Sequence, residues 1–548
     1  MTSRHYFSVF LGILFCVIFS NGAYAAAGSD DISSIAGNIS DSASELPGLI
    51  AAFAYLSGLL MATSAVFKTV DHVSNPAQTP IRVPTIRFLI GGALFALPML
   101  TEAIITTVTG NAAAFNLHNA AITFDAGLFG ITGSTAGNTN FNAILQNFVI
   151  SGELLPGLVA TVAYLLALVL TVSALYKTRD HVEDPERSPL KDAVVRYLTA
   201  GALFALPTMF DAMFETIDGG GLGFGGSLIS ILSGAWFDST QGGGTSGCTS
   251  TGGGTAGQMS EVICHVMSST MSMPRFLGAI SYFIGLVLGL WAILKIRDHV
   301  NNPAQVALSE GVSRLIAAGA FFAMPVVAMA LAYSVTPDTV ANQGTSQANT
   351  SFNTPIPLSC GTANALDQAM ACFMDDILSP SHVLLNFFCL CAGMIFIMIG
   401  ISRLTKTAQE GARGPGGIGT ISTFVIGAIL ISATTILRAI SSSLFTGGGN
   451  GETFTRATLA YTGGMSPGEI AAAYNVVNAV LKFMIVIGMI SFVRGLFIMR
   501  DVSEGQQGAS TMAGMTHIIG GALAVNLGPL LNAIQATLGV TAFGVTFN

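Results

Sequence analysis

One short module occurs three times in this chain without a gap, and it constrains the fold more than any other feature. The copies read Lys68-Thr69-Val70-Asp71-His72-Val73-Ser74-Asn75-Pro76, Lys177-Thr178-Arg179-Asp180-His181-Val182-Glu183-Asp184-Pro185 and Lys295-Ile296-Arg297-Asp298-His299-Val300-Asn301-Asn302-Pro303. Each is followed at a fixed distance by an arginine (Arg87, Arg196, Arg314) and then by an apolar stretch ending in proline (GGALFALP to Pro98, AGALFALP to Pro207, AGAFFAMP to Pro325). The Asp-to-Pro offset is 98−71 = 207−180 = 325−298 = 27, and the His-to-Arg offset is 87−72 = 196−181 = 314−299 = 15. Tandem duplication of one unit is implied, and a repeated unit is expected to bury its apolar faces against its neighbours.

Apolar runs precede each module, at residues 46–67, 154–176 and 276–294, so a unit reads as helix, basic loop, helix. Two weaker copies follow: 383–401 with 418–437, and 480–499 with 515–538. The chain as a whole is 51% hydrophobic and 9% charged, against about 25% charged in soluble domains. These numbers exclude an ordinary soluble enzyme. The expected fold class is all-α, a polytopic membrane protein with about ten transmembrane helices in five tandem hairpins. Their bounds are 46–110, 154–217, 275–335, 382–445 and 479–540, joined by linkers 111–153, 218–274, 336–381 and 446–478.

The N-terminus reads as a cleavable signal peptide, residues 1–25. Arg4 precedes an apolar core, and Ala23-Tyr24-Ala25 supplies small residues at the cleavage site. The mature N-terminus and the linkers are then expected in the periplasm of a Gram-negative bacterium, and the five loops in the cytoplasm. Charge supports this orientation: 16 of the 21 Lys and Arg lie in or beside the loops (3, 5, 3, 3 and 2 along the chain), as the positive-inside rule requires. The net charge of −8 implies no nucleic-acid binding. Cys248 and Cys264 share one linker and Cys360 and Cys372 another, which suits two disulfides in an oxidising compartment. Cys389 and Cys391 lie within a helix and read as small hydrophobes. The Gly- and Ser-rich linkers read as flexible.

Three Asp-His dyads (Asp71/His72, Asp180/His181, Asp298/His299) are the most enzyme-like feature. Imidazole beside a carboxylate suits acid-base or metal chemistry. Adjacent helical residues diverge by about 100°, however. A structural role is expected instead: Asp pairs with a flanking Lys or Arg, and the following proline ends the helix. The proline-terminated stretches read as packing surfaces, with Gly92, Gly201 and Gly319 admitting close helix approach and Pro98, Pro207 and Pro325 kinking or ending the second span. No span is expected to carry an ionisable group near its centre, since Lys482 and Arg494 fall near the two ends of the ninth. Dinucleotide, phosphate-loop and metal-ligand motifs are absent from the sequence, so no cofactor is expected.

An outer N-terminus, two apolar helices and a short basic loop, with a small-residue second helix ending in Leu-Pro, resembles the small inner-membrane subunits of Dot/Icm (type IVB) secretion and IncI-type conjugation systems, the IcmC, IcmD and DotV group. Lys68, Arg87, Gly92 and Pro98 carry the resemblance, with their counterparts at Lys177, Arg196, Gly201 and Pro207 and at Lys295, Arg314, Gly319 and Pro325. It covers three hairpins well and two poorly, and those subunits have one hairpin where this chain has five. It implies a non-enzymatic structural or channel-forming component whose partners are the lipid bilayer, other subunits of a secretion complex and a second copy of the chain. A transporter or permease and, third, a membrane enzyme using the Asp-His loops are the competing readings.

Overall fold

A computed structural model of the chain describes residues 32–43, 46–99, 141–152, 155–206, 273–335, 365–410, 418–444, 457–459, 464–506, 508–540 and 545–547, with a few isolated residues besides. The expected signal peptide and Cys248, Cys264, Cys360 and Pro207 lie outside these residues. The described chain is helical apart from a three-residue antiparallel pairing of Ala457–Leu459 with Val545–Phe547.

Each expected hairpin is present, with a long first arm and a short second arm. The first arms are Leu46–Ser74, Leu155–Glu183, Met273–Asn301, Leu366–Glu410 and Pro467–Ser503. All five contain a stretch long and apolar enough to cross a membrane. The second arms are Arg82–Phe95, Leu190–Phe204, Leu308–Phe322, Ile418–Ile431 and Thr511–Val525, each 14 or 15 residues long. At about 1.5 Å per residue such an arm reaches roughly 22 Å, short of a hydrocarbon core of about 30 Å. Of the expected ten spans, five to seven are shown: among the described residues five helices qualify, or up to seven if each bent pair counts as one span.

What shortens the second arm is a break at one repeat position. The arms end at Ala96, Ala205, Ala323, Ser432 and Asn526. In three hairpins a proline stands two residues on (Pro98, Pro207, Pro325) and in the fifth Gly528-Pro529 follows. Proline removes the helical N–H and its ring collides with the carbonyl four residues back, so the helix stops and a new one starts. In the fifth hairpin the continuation Leu527–Leu538 leaves at 84° to Thr511–Val525. Hairpin 4 breaks at Ser432 with no proline there.

Several boundaries also move. Two helices lie outside the expected hairpins, Ile32–Ala43 ahead of the first and Phe141–Ser151 in a linker expected to be flexible; the former packs on hairpin 2 through Ser40 Oγ and Thr161 Oγ1, 3.1 Å apart. Hairpin 4 starts at Leu366 rather than near 382, and hairpin 5 at Pro467 rather than near 479. The latter start is set by a capping box in which Ser466 and Glu469 satisfy each other's backbone N–H groups, with proline at the first helical position. Hydropathy sees only the apolar middle of such a helix and misses its polar extension.

By packing, residues 1–134, 147–222 and 280–322 form one unit and residues 135–146, 223–279 and 323–548 a second. In the first, Ala54, Met61, Ile90, Leu94 and Leu97 of hairpin 1 close on Leu175 of hairpin 2. In the second, Cys389, Phe396, Ile426 and Leu430 of hairpin 4 close on Ile485, Met489, Phe492 and Leu496 of hairpin 5. Large apolar side chains on the outer faces stay exposed, Leu56, Leu60 and Phe67 among them, which is compatible with a membrane location.

Candidate functional site: the charged hairpin tips

The tips are where the first arm ends and the charges concentrate. Asp71, Asp180 and Asp298 lie in the last helical turn, and their carbonyls accept the final backbone bond from Asn75, Asp184 and Asn302, each at 2.8 Å. The proline that follows forbids another turn. Seven residues after each histidine the chain folds back over it. His72 Nδ1 donates to the Thr79 carbonyl at 2.6 Å, His181 Nδ1 to Ser188 at 2.7 Å and His299 Nδ1 to Val306 at 2.6 Å. A carbonyl can only accept, so Nδ1 carries the proton and the ring is held as a clasp for the turn.

The carboxylates face elsewhere. Asp71 takes Lys68 Nζ at 3.1 Å, Asp180 takes Arg179 at 2.6 Å and Asp298 takes Arg297 at 2.9 Å. In each of the three copies Asp and His thus serve separate bonds. Hairpin 5, which has no such histidine, turns instead through Gly505 and Gly508, whose φ of 73° and 105° only glycine adopts freely.

The three repeat arginines tie the second arm to the first. Arg87 Nη1 donates to Ser64 Oγ at 2.5 Å, and Arg196 Nη1 donates to Ser173 Oγ. Arg314, where the equivalent first-arm residue is Trp291, stacks 4.5 Å above that ring and pairs with Glu310 at 2.6 Å. In hairpin 5 His517 Nδ1 lies 3.1 Å from Ser491 Oγ.

Between hairpins the tips are joined by one carboxylate set between two arginines. Glu183 of hairpin 2 takes Arg87 of hairpin 1 in a two-pronged bond (Nε–Oε1 2.5 Å, Nη2–Oε2 3.0 Å), with Arg179 Nε 3.8 Å away. Glu504 of hairpin 5 likewise takes Arg403 of hairpin 4 at 3.0 Å and Arg500 at 2.7 Å. Each joint puts two hairpin tips on the same side of its own unit. Sequence reasoning singled out neither glutamate; the available signal was that Glu183 stands where the other gap-free copies have Ser74 and Asn301.

The expected packing glycines are displaced by one residue. A side chain at Gly92 or Gly201 would meet nothing within 4 Å, and Gly319 is half-buried, one position past buried Ala318. The close approach falls on the residue before. A Cβ on Gly91 would lie 3.1 Å from the Gly58 carbonyl, and one on Gly58 would lie 2.9 Å from that of Gly91. The same register, 91−58 = 200−167 = 318−285 = 521−488 = 33, pairs buried Ala167 with Ala200, Gly285 with Ala318 and Gly488 with Gly521; hairpin 4 uses Gly393 and Gly427, one residue further apart. Helical geometry explains the shift, because a neighbour along the helix points about 100° away. Pro98 is half-buried at its break and Pro325 is buried.

One further expectation changes. Lys482 lies 482−467 = 15 residues inside the first arm of hairpin 5 and is 6% exposed, so an ionisable group does occupy the interior of that helix. Cys389 and Cys391 are buried in the apolar core of hairpin 4, and Cys372 sits on the same helix nearer its start. No group of three His, Cys, Asp or Glu side chains positioned for a metal ion occurs among the described residues. Comparison with protein-family models, with curated proteins and with solved structures gave no match.

Proposed function

We propose that the chain is a non-enzymatic structural or channel-forming subunit of a type IV, Dot/Icm-like, secretion or conjugation apparatus in a Gram-negative inner membrane. The observation that carries this reading is the tip joint: the conspicuous charged groups of the repeats are spent on closing each hairpin and on bridging hairpin 1 to 2 and hairpin 4 to 5. Its parts are the His clasp, the Arg–Ser tie and the Arg–Glu–Arg bridge. Asp and His side chains bonded separately suit a scaffold better than catalysis at the tips. In this reading the tips face the cytoplasm, where the basic residues gather. The linkers face the periplasm, and Cys248–Cys264 and Cys360–Cys372 are disulfides there. Partners are other subunits of the apparatus and a second copy of the chain.

The test is removal of the chain from a strain that secretes or conjugates, with complementation by the intact gene and identification of proteins recovered with it from gently solubilised membranes. Loss of transfer together with recovery of secretion subunits is expected. Unimpaired transfer would end the proposal. A second reading, a transporter, draws on the broken second arms and on buried Lys482 and Asn526 in hairpin 5, since interrupted helices serve as binding sites in many carriers. Substrate uptake abolished by Lys482→Met would favour it.

A further inference from the structure

Among the described residues, three buried side-chain atoms lack a hydrogen-bond partner: Thr420 Oγ1, Arg500 Nε and Glu504 Oε1. All three belong to the tip joint of hairpins 4 and 5. Buried polar atoms are nearly always bonded, so their gathering at one joint calls for a cause. At the corresponding joint of hairpins 1 and 2, Glu183 uses both oxygens on Arg87 in bonds of 2.5 and 3.0 Å. Glu504 Oε1 lies 3.0 Å from Arg403 Nη2 and 2.7 Å from Arg500 Nη2. That is close enough for ion pairing, but off the hydrogen-bond axes of the two guanidiniums.

Packing within this unit sets Thr420 beside the pair. A Cβ on Gly419 would lie 3.5 Å from the Ser503 carbonyl, and Ser422 Oγ donates to Ser503 Oγ at 2.5 Å. Arg403 reaches Glu504 with Nη2 and donates to Thr423 Oγ1 at 3.3 Å with Nη1. Thr420 stands one turn before Thr423 on the same helix face and is 2% exposed. Thr171, Thr178 and Thr423 each donate to the carbonyl four residues back. For Thr420 that position precedes the helix, which starts at Ile418. Arg500 is held with its guanidinium 4.6 Å over the Phe396 ring. Arg403 and Arg500 are 25% and 19% exposed, so the joint opens to the surface.

We propose that the joint between hairpins 4 and 5 binds a phosphoethanolamine group. The phosphate takes the two donors, Arg500 Nε–H and the Thr420 hydroxyl, at the start of a 14-residue helix whose first N–H groups favour an anion. The ammonium takes the acceptor, Glu504 Oε1. Two guanidiniums against one carboxylate leave a positive charge in excess, which disfavours a lone cation, and the unmatched carboxylate oxygen disfavours a lone phosphate. A group carrying both ends answers all three atoms. The joint lies at the end of a helix long and apolar enough to cross a membrane, the depth at which basic pockets between helices take lipid headgroups. The proposal rests on the membrane location above and not on the secretion assignment. The source is a phospholipid headgroup or the free compound, and the test separates them.

The full chain, purified from membranes in dodecyl maltoside, is exposed to mixed micelles containing equal phosphatidylethanolamine, phosphatidylcholine and phosphatidylglycerol of matched acyl chains. Retained lipid is counted by native mass spectrometry; in parallel, Tm is measured with free O-phosphoethanolamine and with inorganic phosphate. Wild type is expected to retain the ethanolamine lipid over the choline lipid by about tenfold or more, because a quaternary ammonium has no N–H to give Glu504. For the free source, Tm rises with O-phosphoethanolamine and not with phosphate, and no lipid is preferred. Thr420→Val is the decisive variant: it removes a hydroxyl without a protein partner, so Tm in lipid-free detergent should hold or rise while binding falls by about fivefold. Glu504→Gln should bring the ethanolamine and choline lipids within about twofold of each other. Equal retention of those two lipids with no response to O-phosphoethanolamine would overturn the proposal and leave the three atoms to ordered water. Preference for phosphatidylglycerol, a Thr420→Val protein that binds like wild type, or a Tm lowered by that change without lipid would overturn it as well. Failure of the membrane reading shows separately, as recovery of the chain in the soluble fraction before any lipid is added.

Discussion

Gly520 and Gly521 are neighbours on one helix, yet alanine should act on them in opposite directions. A Cβ at Gly521 would sit 2.6 Å from both the Gly488 carbonyl oxygen and the Phe492 nitrogen, whereas one at Gly520 would meet nothing within 4 Å. Ordinary contact begins near 3.4 Å, so the arms of hairpin 5 must part by 3.4−2.6 = 0.8 Å to admit the methyl group. Both obstructing atoms are backbone and cannot swing aside. A gap of 0.5–1 Å forfeits about a quarter to a half of each dispersion contact, and Phe492, Met489, Val525 and Ala522 all pack along this seam. Overpacking of this kind costs about 1–3 kcal/mol. Alanine returns about 0.5–1 kcal/mol of helix propensity at either site. Gly520→Ala should therefore stabilise by about 0.5–1 kcal/mol, and Gly521→Ala should destabilise by up to about 2.5 kcal/mol once that gain is subtracted. The propensity gain cancels between the two sites, so the variants should differ by the overpacking cost of about 1–3 kcal/mol, roughly fivefold to 150-fold in equilibrium constant. Reversible SDS unfolding of the purified protein in mixed micelles, followed by circular dichroism, measures this directly. Equal midpoints, or a greater loss at 520, would refute the assigned register and with it the pairing of Gly58 with Gly91 in hairpin 1.

The same logic predicts that Gly91→Leu prevents hairpin 1 from folding in detergent while Gly92→Leu folds normally; a folded Gly91→Leu would contradict it. Replacing His72, His181 and His299 together by Gln should cost under about 1.5 kcal/mol per site, since an amide can still donate to the Thr79, Ser188 and Val306 carbonyls. Secretion or conjugation should survive this triple change at normal membrane levels, and its abolition would point to chemistry at the tips. For orientation, Ser74→Cys and Ser239→Cys in a cysteine-free chain should separate, an impermeant thiol reagent labelling only the latter in spheroplasts; labelling at 74 would reverse the topology. Non-reducing peptide mapping should recover Cys248 with Cys264 and Cys360 with Cys372, each closing a short loop worth about 3 kcal/mol in the chain-entropy model, and four free thiols would rule the pairs out.

The hairpins themselves were legible because duplication prints the same residues at the same spacing, and because the proline after each Asp-His pair has one local consequence. Three things were not legible, for distinct reasons. The second arms looked like spans because hydropathy runs smoothly through Ala96, Ala205 and Ala323, while the break depends on a proline acting backwards on a carbonyl four residues earlier. The glycine register was missed by one residue because GG and AG doublets look equivalent in sequence, and only the facing helix decides which of the two is crowded. The glutamate bridges were invisible because their partners belong to different repeats, 96 residues apart for Arg87 and Glu183. Once two of those bridges are seen, though, the alignment becomes informative again. The position that carries Glu183 in hairpin 2 and Glu504 in hairpin 5 carries Ser74 in hairpin 1 and Asn301 in hairpin 3, neither of which can close such a bridge. Departures from the repeat's own pattern thus decide which hairpin tips can be bridged by a shared carboxylate, and that choice is readable only once the repeats are aligned on the structure.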